Sequence, residues 1–420
     1  MNFYNSKKSN LNQEQQLAVE SVHGPVMCIA GPGSGKTLTI VHRLINMIKN
    51  HSIEPTNILV VTFSKASAIE MRKRFLRAIN NEDCKVNFGT FHSIFFQLLK
   101  KEYGYTQENI LAEGASSKII LSLLDKQKNA LLSSADIIYK LLSEISLVKS
   151  AAINPREFKS SVMSSEDFTH LYKGYNDYLS EMNLIDFEDM LQKTHKLLTT
   201  NQKALKHWQN KFKYILIDEF QDINPIQYSI GKLLAKPENN LFIVGDDDQA
   251  IYSFRGSSPS IMKTFPEDFK GAKTIMLTTN YRCSEEILKE ASKVISYNVN
   301  RFPKALTAAN KGGEKVSVKG FEDSYKEYDY LAKHILEELS NGIKPEEIAV
   351  LCRTNSQCAA IAAHLIKYDI PFNLKGNIPT LYDNRHLVPV ISYIKFLAGD
   401  NSRENFLQFC NKPVRYITRD

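Results

Sequence analysis

Val26-Met27-Cys28-Ile29-Ala30-Gly31-Pro32-Gly33-Ser34-Gly35-Lys36-Thr37 is the stretch that decides the fold. Five apolar residues read as a buried strand, three glycines then break it, and a helical pattern runs from Lys36 to about Lys49. A strand that feeds a glycine-rich turn and then a helix aims successive backbone N–H groups at one point, beside the positive end of the helix. That is a cradle for phosphate. Ala30, Gly31, Pro32, Gly33, Ser34 and Gly35 supply its wall, Lys36 reaches the β- and γ-phosphates of a nucleotide, and the Thr37 hydroxyl ligates Mg²⁺. The first loop position is Ala30 where the usual pattern has glycine. Without the strand before it and the helix after it, the same run would read as a plain glycine-rich turn.

The strand–turn–helix grammar continues outward from this loop. Asn57–Thr62 reads as a second strand, Ser64 can N-cap a helix through Arg77, and Val86–Phe88 reads as a third strand leading into another helix. From about 101 to 200 the pattern is helical, as in an insertion. Strands resume at Tyr214–Ile217, Leu241–Val244 and Thr274–Leu277. A long helix is expected after Tyr281, through about Asn298. A turn at Lys311-Gly312-Gly313 and strands near Val316 and at Ile348–Leu351 suggest a second α/β unit. The expected fold class is α/β with parallel sheets.

Composition narrows the class. The chain has 420 residues, 43% hydrophobic and 24% charged, which suits a soluble protein of several domains and excludes a disordered or collagen-like chain. No apolar run approaches the ~18–20 residues of a membrane helix, and the opening residues carry no apolar leader. The six cysteines form no C-x-x-C pair, which argues against a zinc ribbon or a disulfide framework and fits a reducing, cytoplasmic compartment. A net charge of +7 is compatible with a polyanionic partner.

Ile215-Leu216-Ile217-Asp218-Glu219 complements the phosphate loop, because an apolar strand delivers two acids to its carboxyl end, where open α/β sheets bind ligands. Asp218 is the expected Mg²⁺ residue and Glu219 the general base for the attacking water. In Val244-Gly245-Asp246-Asp247-Asp248-Gln249, Gln249 is placed to sense a γ-phosphate. Tyr252, Phe254 and Arg255 follow as a base-stacking platform with a phosphate contact. Taken alone, these aromatics read as well as local core packing, and His92 as a histidine at a helix start.

Taken together and in order, the motifs resemble those of the UvrD/Rep-type DNA helicases of superfamily 1. Leu11-Asn12-Gln13-Glu14-Gln15 is similar to their adenine-recognition motif and implies Gln15 on the base. Val61-Thr62-Phe63-Ser64-Lys65 and Gly89-Thr90-Phe91-His92-Ser93 resemble their single-strand DNA motifs, implying contacts from Thr62, Phe63, Thr90, Phe91 and His92. Asp218–Asp222 and Gly245–Gly256 resemble the acid and coupling motifs. Asn280-Tyr281-Arg282 resembles the segment whose Tyr stacks on adenine and whose Arg touches the γ-phosphate. Ile348–Asn355 resembles a DNA-contacting segment, which carries the role to Arg353 and Asn355.

The resemblance implies a RecA-like motor domain at 1–100 and 190–280, a helical insertion at 101–189, a partial second RecA-like domain at 281–395, and the start of a second insertion at 396–420. It implies ATP-driven 3′→5′ movement on single-stranded DNA and separation of duplexes, in repair or replication, with ATP, Mg²⁺ and single-stranded or partly duplex DNA as ligands. Leu38 stands where the family often has an adenine-packing Arg, and Phe254 where it has a Trp. No segment resembles the last two family motifs, so the sequence looks like about the first three-fifths of such an enzyme and is expected to be weakly active alone. Two other readings fit: a nucleotide-gated single-strand binder that does not unwind, and the motor part of a helicase-nuclease.

Overall fold

The computed structural model describes residues 11–126, 135–151, 153–252, 256–375, 387–413 and 415. Phe254 and Arg255 lie outside the described residues. The chain divides into two compact units, Met1–Val316 and Ser317–Asp420.

The first unit is built on six parallel strands: β1 (Val26–Ala30), β2 (Ile58–Thr62), β3 (Asn87–Thr90), β4 (Tyr214–Ile217), β5 (Leu241–Gly245) and β6 (Lys273–Leu277). Their order is β3-β2-β4-β5-β1-β6, all in parallel register. A parallel sheet is covered on both faces, which is why its strands read as unbroken apolar runs and not as alternation. The faces separate with the strand period of two. Met27, Ile29, Leu59, Val61, Ile215 and Ile243 face a core containing Trp208, Phe220 and Phe265. Val26, Cys28, Ile58, Val60, Phe242 and Val244 face one containing Ile40, Leu44 and Phe75.

Between β3 and β4 the chain is helical, with helices Phe91–Tyr103, Ala115–Lys126, Ala135–Ser150, Ser165–Glu181, Phe187–Thr200 and Gln202–Lys211. Part of it forms a separate core around Ile120, Leu141, Ile145, Phe168 and Leu171. There the fully buried Lys149 donates to Asp186 at 2.6 Å and Asp189 at 2.8 Å.

Helix Gln13–Glu20 is held against helix Lys36–Lys49 by a buried arginine. Arg43 donates to the carbonyls of Ala18 at 2.6 Å and Val22 at 3.1 Å, and its guanidinium lies 4.3 Å from the Phe242 ring centroid. Burial lowers its pKa to about 10. Carbonyls at a helix end lack intrahelical donors, so Arg43 satisfies groups that would otherwise be buried unpaired. Arg43→Met is expected to lose about 1–3 kcal/mol of stability, read as a lower urea midpoint at unchanged slope. An unchanged midpoint would show these carbonyls find other donors.

Two expectations from the sequence need correction. Residues 281–284 are not helical: β7 (Thr279–Ser284) pairs in parallel with β8 (Thr307–Asn310), and the helix is Glu285–Ile295. The Asn280 side chain accepts from the N–H groups of Arg282 and Cys283, both at 2.8 Å, and Ser284 caps the helix. β7 stays with the first unit because it is bound to the phosphate loop. The first compact unit accordingly runs on to Val316. Val316 and Ile348–Leu351 are likewise not strands. A strand exists only as part of a ladder, and Leu351 is 95% exposed. Among the described residues the second unit has helices Ser324–Ser340, Asn355–Lys367, Leu387–Leu397 and Arg403–Phe409 and no strand. The first two pack through Ala332, Ile335, Ile361 and Leu365. Among the described residues no helix is long and apolar enough to cross a membrane, and all six cysteines are free.

Candidate active site

The carboxyl ends of β1, β5 and β4 lie side by side and bring three loops together. Gly33 and Gly35 carry the phosphate loop in left-handed backbone, φ +65° and +82°. Space excludes a side chain there too, since a Cβ on Gly33 would meet Arg282 Cβ at 2.7 Å and one on Gly35 would meet Gln15 Nε2 at 2.7 Å. The loop is braced from two sides. Tyr281 N–H donates to the Gly33 carbonyl at 3.0 Å and Asn280 Nδ2 to the Pro32 carbonyl at 2.7 Å. Gln15 Nε2 donates to the Ser34 carbonyl at 2.8 Å while its Oε1 accepts from Asn12 N–H. Gln15 is thus buried under the loop, in a bracing position. Tyr281 and Arg282 are exposed beside the loop, as is Leu38.

Lys36 Nζ lies 3.1 Å from Glu219 Oε2. Glu219 has φ +50°, a left-handed conformation that a residue with a Cβ adopts at a cost. Gln221 fixes this corner: its Nε2 donates to Glu219 Oε2 at 2.9 Å, and its Oε1 accepts from Asp246 N–H at 3.0 Å, tying the end of β4 to the end of β5. Asp218 is buried, and its Oδ1 has no hydrogen-bond partner; neither has the buried Ser34 hydroxyl. An orphaned carboxylate oxygen at Asp218 and the hydroxyl of the half-buried Thr37, in the first turn of the phosphate-loop helix, are hard oxygen donors of the kind Mg²⁺ takes, so their chemistry fits the metal expected of them.

Burial, reinforced by Glu219 and opposed by Lys36, pushes the Asp218 carboxyl up to about 7; the same causes push Asp222 up to about 6. A carboxyl raised above its unfolded value binds its proton more tightly in the folded chain, so stability falls as pH rises from about 4 through 7. In metal-free buffer the denaturant midpoint is therefore expected to drop across that window, with each tenfold change in proton affinity worth ~1.4 kcal/mol. Asp218→Asn should flatten the drop; an equally steep profile in that variant would rule Asp218 out as its source.

The third loop follows β5. Gln249 Nε2 donates to Asp246 Oδ2 at 2.7 Å. Asp246, Asp247 and Asp248 converge as a metal site would, but the cation among them is Lys304, whose Nζ lies 2.5, 2.6 and 2.8 Å from the three carboxylates.

Of the residues expected at DNA, Phe63 and Tyr252 come together, with ring centroids 4.7 Å apart and planes 30° from parallel; Phe63 is 39% exposed. Thr62 and Phe91 point inward instead. Thr62 is buried with its hydroxyl donating to the Ser64 carbonyl at 3.0 Å, and Phe91 packs in the core beside the sheet. Thr90 caps helix Phe91–Tyr103. His92 stands edge-on to the exposed Phe187, centroids 5.4 Å apart, and burial lowers its pKa. Arg353 and Asn355 are exposed in the second unit, Asn355 opening the helix that Thr354 caps.

Residues 11–270 match the UvrD/REP helicase N-terminal domain, and residues 275–420 match the UvrD-like helicase C-terminal domain. The chain belongs to the UvrD/REP helicase family. It is similar to the ATP-dependent DNA helicase PcrA of Staphylococcus epidermidis strain ATCC 35984, 32% identical over 422 aligned positions that cover 98% of this chain and 57% of the relative. The PcrA of Staphylococcus aureus strain Mu50 is 31% identical over 419 positions, again 98% of this chain and 57% of the relative. The chain thus spans just over half the length of the curated relatives it matches.

Several residues that build this helicase-family site had no signal in the sequence. Gln221 lies inside the Asp218–Asp222 motif without a role of its own there, and Phe187, Arg301 and Lys304 fall in no motif. Only long-range packing shows them: Lys304 comes 56 residues after the nearest of its three acids, Asp248.

Proposed function

We propose that the chain is the motor portion of an ATP-dependent helicase that moves 3′→5′ on single-stranded DNA and separates duplexes, acting in the cytoplasm in repair or replication. The observation that carries this reading is the meeting of Lys36 with Glu219 at 3.1 Å, beside a buried Asp218 whose Oδ1 lacks a partner. Residues 1–100 and 190–280 serve as the first RecA-like domain, with 101–189 inserted. Residues 281–395 contribute to the second, and 396–420 begin its insertion.

On ATP binding, Lys36 leaves Glu219 for the β/γ-phosphates, and the freed carboxylate orients and deprotonates the attacking water. Mg²⁺ held by Thr37 and Asp218 would neutralise the charge that develops on the phosphate oxygens. Arg282, beside Gly33, adds positive charge at the γ-phosphate, and Gln249 reports its presence to the loop that carries Tyr252. Phe63 and Tyr252 then alternate their hold on stacked bases as nucleotide state shifts the population of gripping conformations.

Two assays on the 420-residue chain test this: ATP turnover titrated with oligonucleotide, and displacement of a strand from a tailed duplex. Turnover that survives loss of Lys36 would sink the reading. Phe63→Ala is expected to weaken single-strand binding by about 1–3 kcal/mol, equally for all base sequences. Unchanged affinity would remove the Phe63–Tyr252 pair from the DNA path.

A further inference from the structure

One ten-residue segment, Arg301 to Asn310, touches three separate parts of the nucleotide pocket. Its first part meets the loop after β5. Arg301 pairs with Asp248 through Nε at 2.7 Å and a terminal nitrogen at 2.5 Å. Phe302 N–H donates to Asp247 Oδ2 at 2.7 Å, and the Phe302 ring packs on the core of the sheet. The Lys304 side chain, 1% exposed, holds all three aspartates. Its middle part covers the phosphate loop: Leu306 Cδ2 stands 2.4 Å from where a Cβ on Gly31 would be. Its last part is β8, laddered on the strand that carries Tyr281 and Arg282, and Asn310 Nδ2 donates to the Tyr281 carbonyl at 3.2 Å.

We propose that residues 301–310 form a positioning strap in which Lys304, seated among Asp246, Asp247 and Asp248, sets Gln249 and Tyr252 in register with the phosphate loop. The chain of bonds is short. Asp246 accepts from Lys304 on Oδ1 and from Gln249 on Oδ2, so the sensor side chain is one carboxylate from the strap. Three residues beyond Gln249 is Tyr252, whose ring lies against Phe63. A buried lysine that satisfies three carboxylates fixes a geometry more than it adds stability, because burying so many charges opposes the attraction between them. It also occupies the point at which the acids would hold a metal ion.

The proposal rests on the ATP-driven reading, and two readouts separate them. Lys304→Met keeps the length of the side chain and removes its charge. In this variant of the 420-residue chain, amide exchange over residues 246–252 is expected to rise at least ~10-fold while β1 and β2 keep their protection. ATP turnover is expected to fall at least ~10-fold in kcat with KM for ATP within about twofold, since the phosphate loop is untouched. Lys304→Arg, which retains the charge and the donors, should recover most of both. If Lys304→Met does not fold, Arg301→Gln at the more accessible end of the strap should show the same pattern at smaller size. Unchanged exchange at 246–252, a uniform rise across the sheet, or failure of Lys304→Arg to recover would each overturn the strap. Exchange needs no turnover, so the strap is judged even if ATP chemistry fails; turnover persisting in Lys36→Ala would instead fault the ATP reading.

Discussion

Lys36→Ala is expected to reduce ATP turnover at least ~10³-fold, the scale at which positioned cations act in phosphoryl transfer. Catalysis of this reaction is mostly the placing of positive charge near the γ-phosphate, and Lys36 is the cation at the head of the phosphate-loop helix. The substitution does more than delete a phosphate contact. Lys36 is the counter-charge of Glu219 at 3.1 Å, and its field also lowers the carboxyls of Asp218 and Asp222. Without it three acids share a corner unopposed, so the proton affinities of Asp218 and Asp222 rise further and the metal position is more often protonated. The variant should therefore lose nucleotide affinity as well as rate, most severely below neutral pH. Turnover within tenfold of the parent, measured at saturating Mg·ATP, would show that another cation supplies the charge.

Glu219→Gln is expected to lower turnover by about 10²–10⁴-fold, the usual contribution of general-base catalysis, while ATP binding persists. The amide keeps the shape of the carboxylate and can still accept from Gln221 Nε2, so the corner between β4 and β5 should survive. It cannot hold Lys36 by charge, which leaves the lysine available to phosphate. Equal or tighter binding of a fluorescent ATP analogue, with turnover lost, is the expected pair of results. A variant that turned over at the parental rate would move the base to another residue, with Asp222 the neighbouring candidate.

The two variants probe the part of the molecule that was most legible in sequence. Val26–Ala30, Ile215–Ile217 and Leu241–Val244 are continuous apolar runs because a parallel sheet buries both faces, and each ends at a loop whose residue types suit phosphate or metal. The less legible parts are those that depend on partners far along the chain. Ile348–Leu351 has the composition of a strand, yet strand identity comes from a neighbour, and none pairs with it among the described residues. Thr62 and Phe91 sit in motifs that also hold exposed residues, Phe63 and Ser93 among them; strand alternation and helix phase turn these two inward, and motif spacing alone does not show that. Lys304 illustrates the opposite failure, since an isolated lysine in Phe302-Pro303-Lys304 reads as surface until three aspartates are found around it.

The strand order has a consequence for how the molecule is made. β1 lies between β5 and β6, and both follow it by more than 200 residues. At ~5–20 residues per second of synthesis, Val26–Ala30 waits roughly 10–50 s for either edge to be paired. During that interval the helical stretch between β3 and β4 is complete and can bury its own core, whereas an entirely apolar strand remains without its ladder. Newly made chains should therefore be most prone to self-association, and most attractive to chaperones, before Leu277 has emerged. The phosphate loop, translated well before the strands that flank β1, takes its shape only after they have arrived.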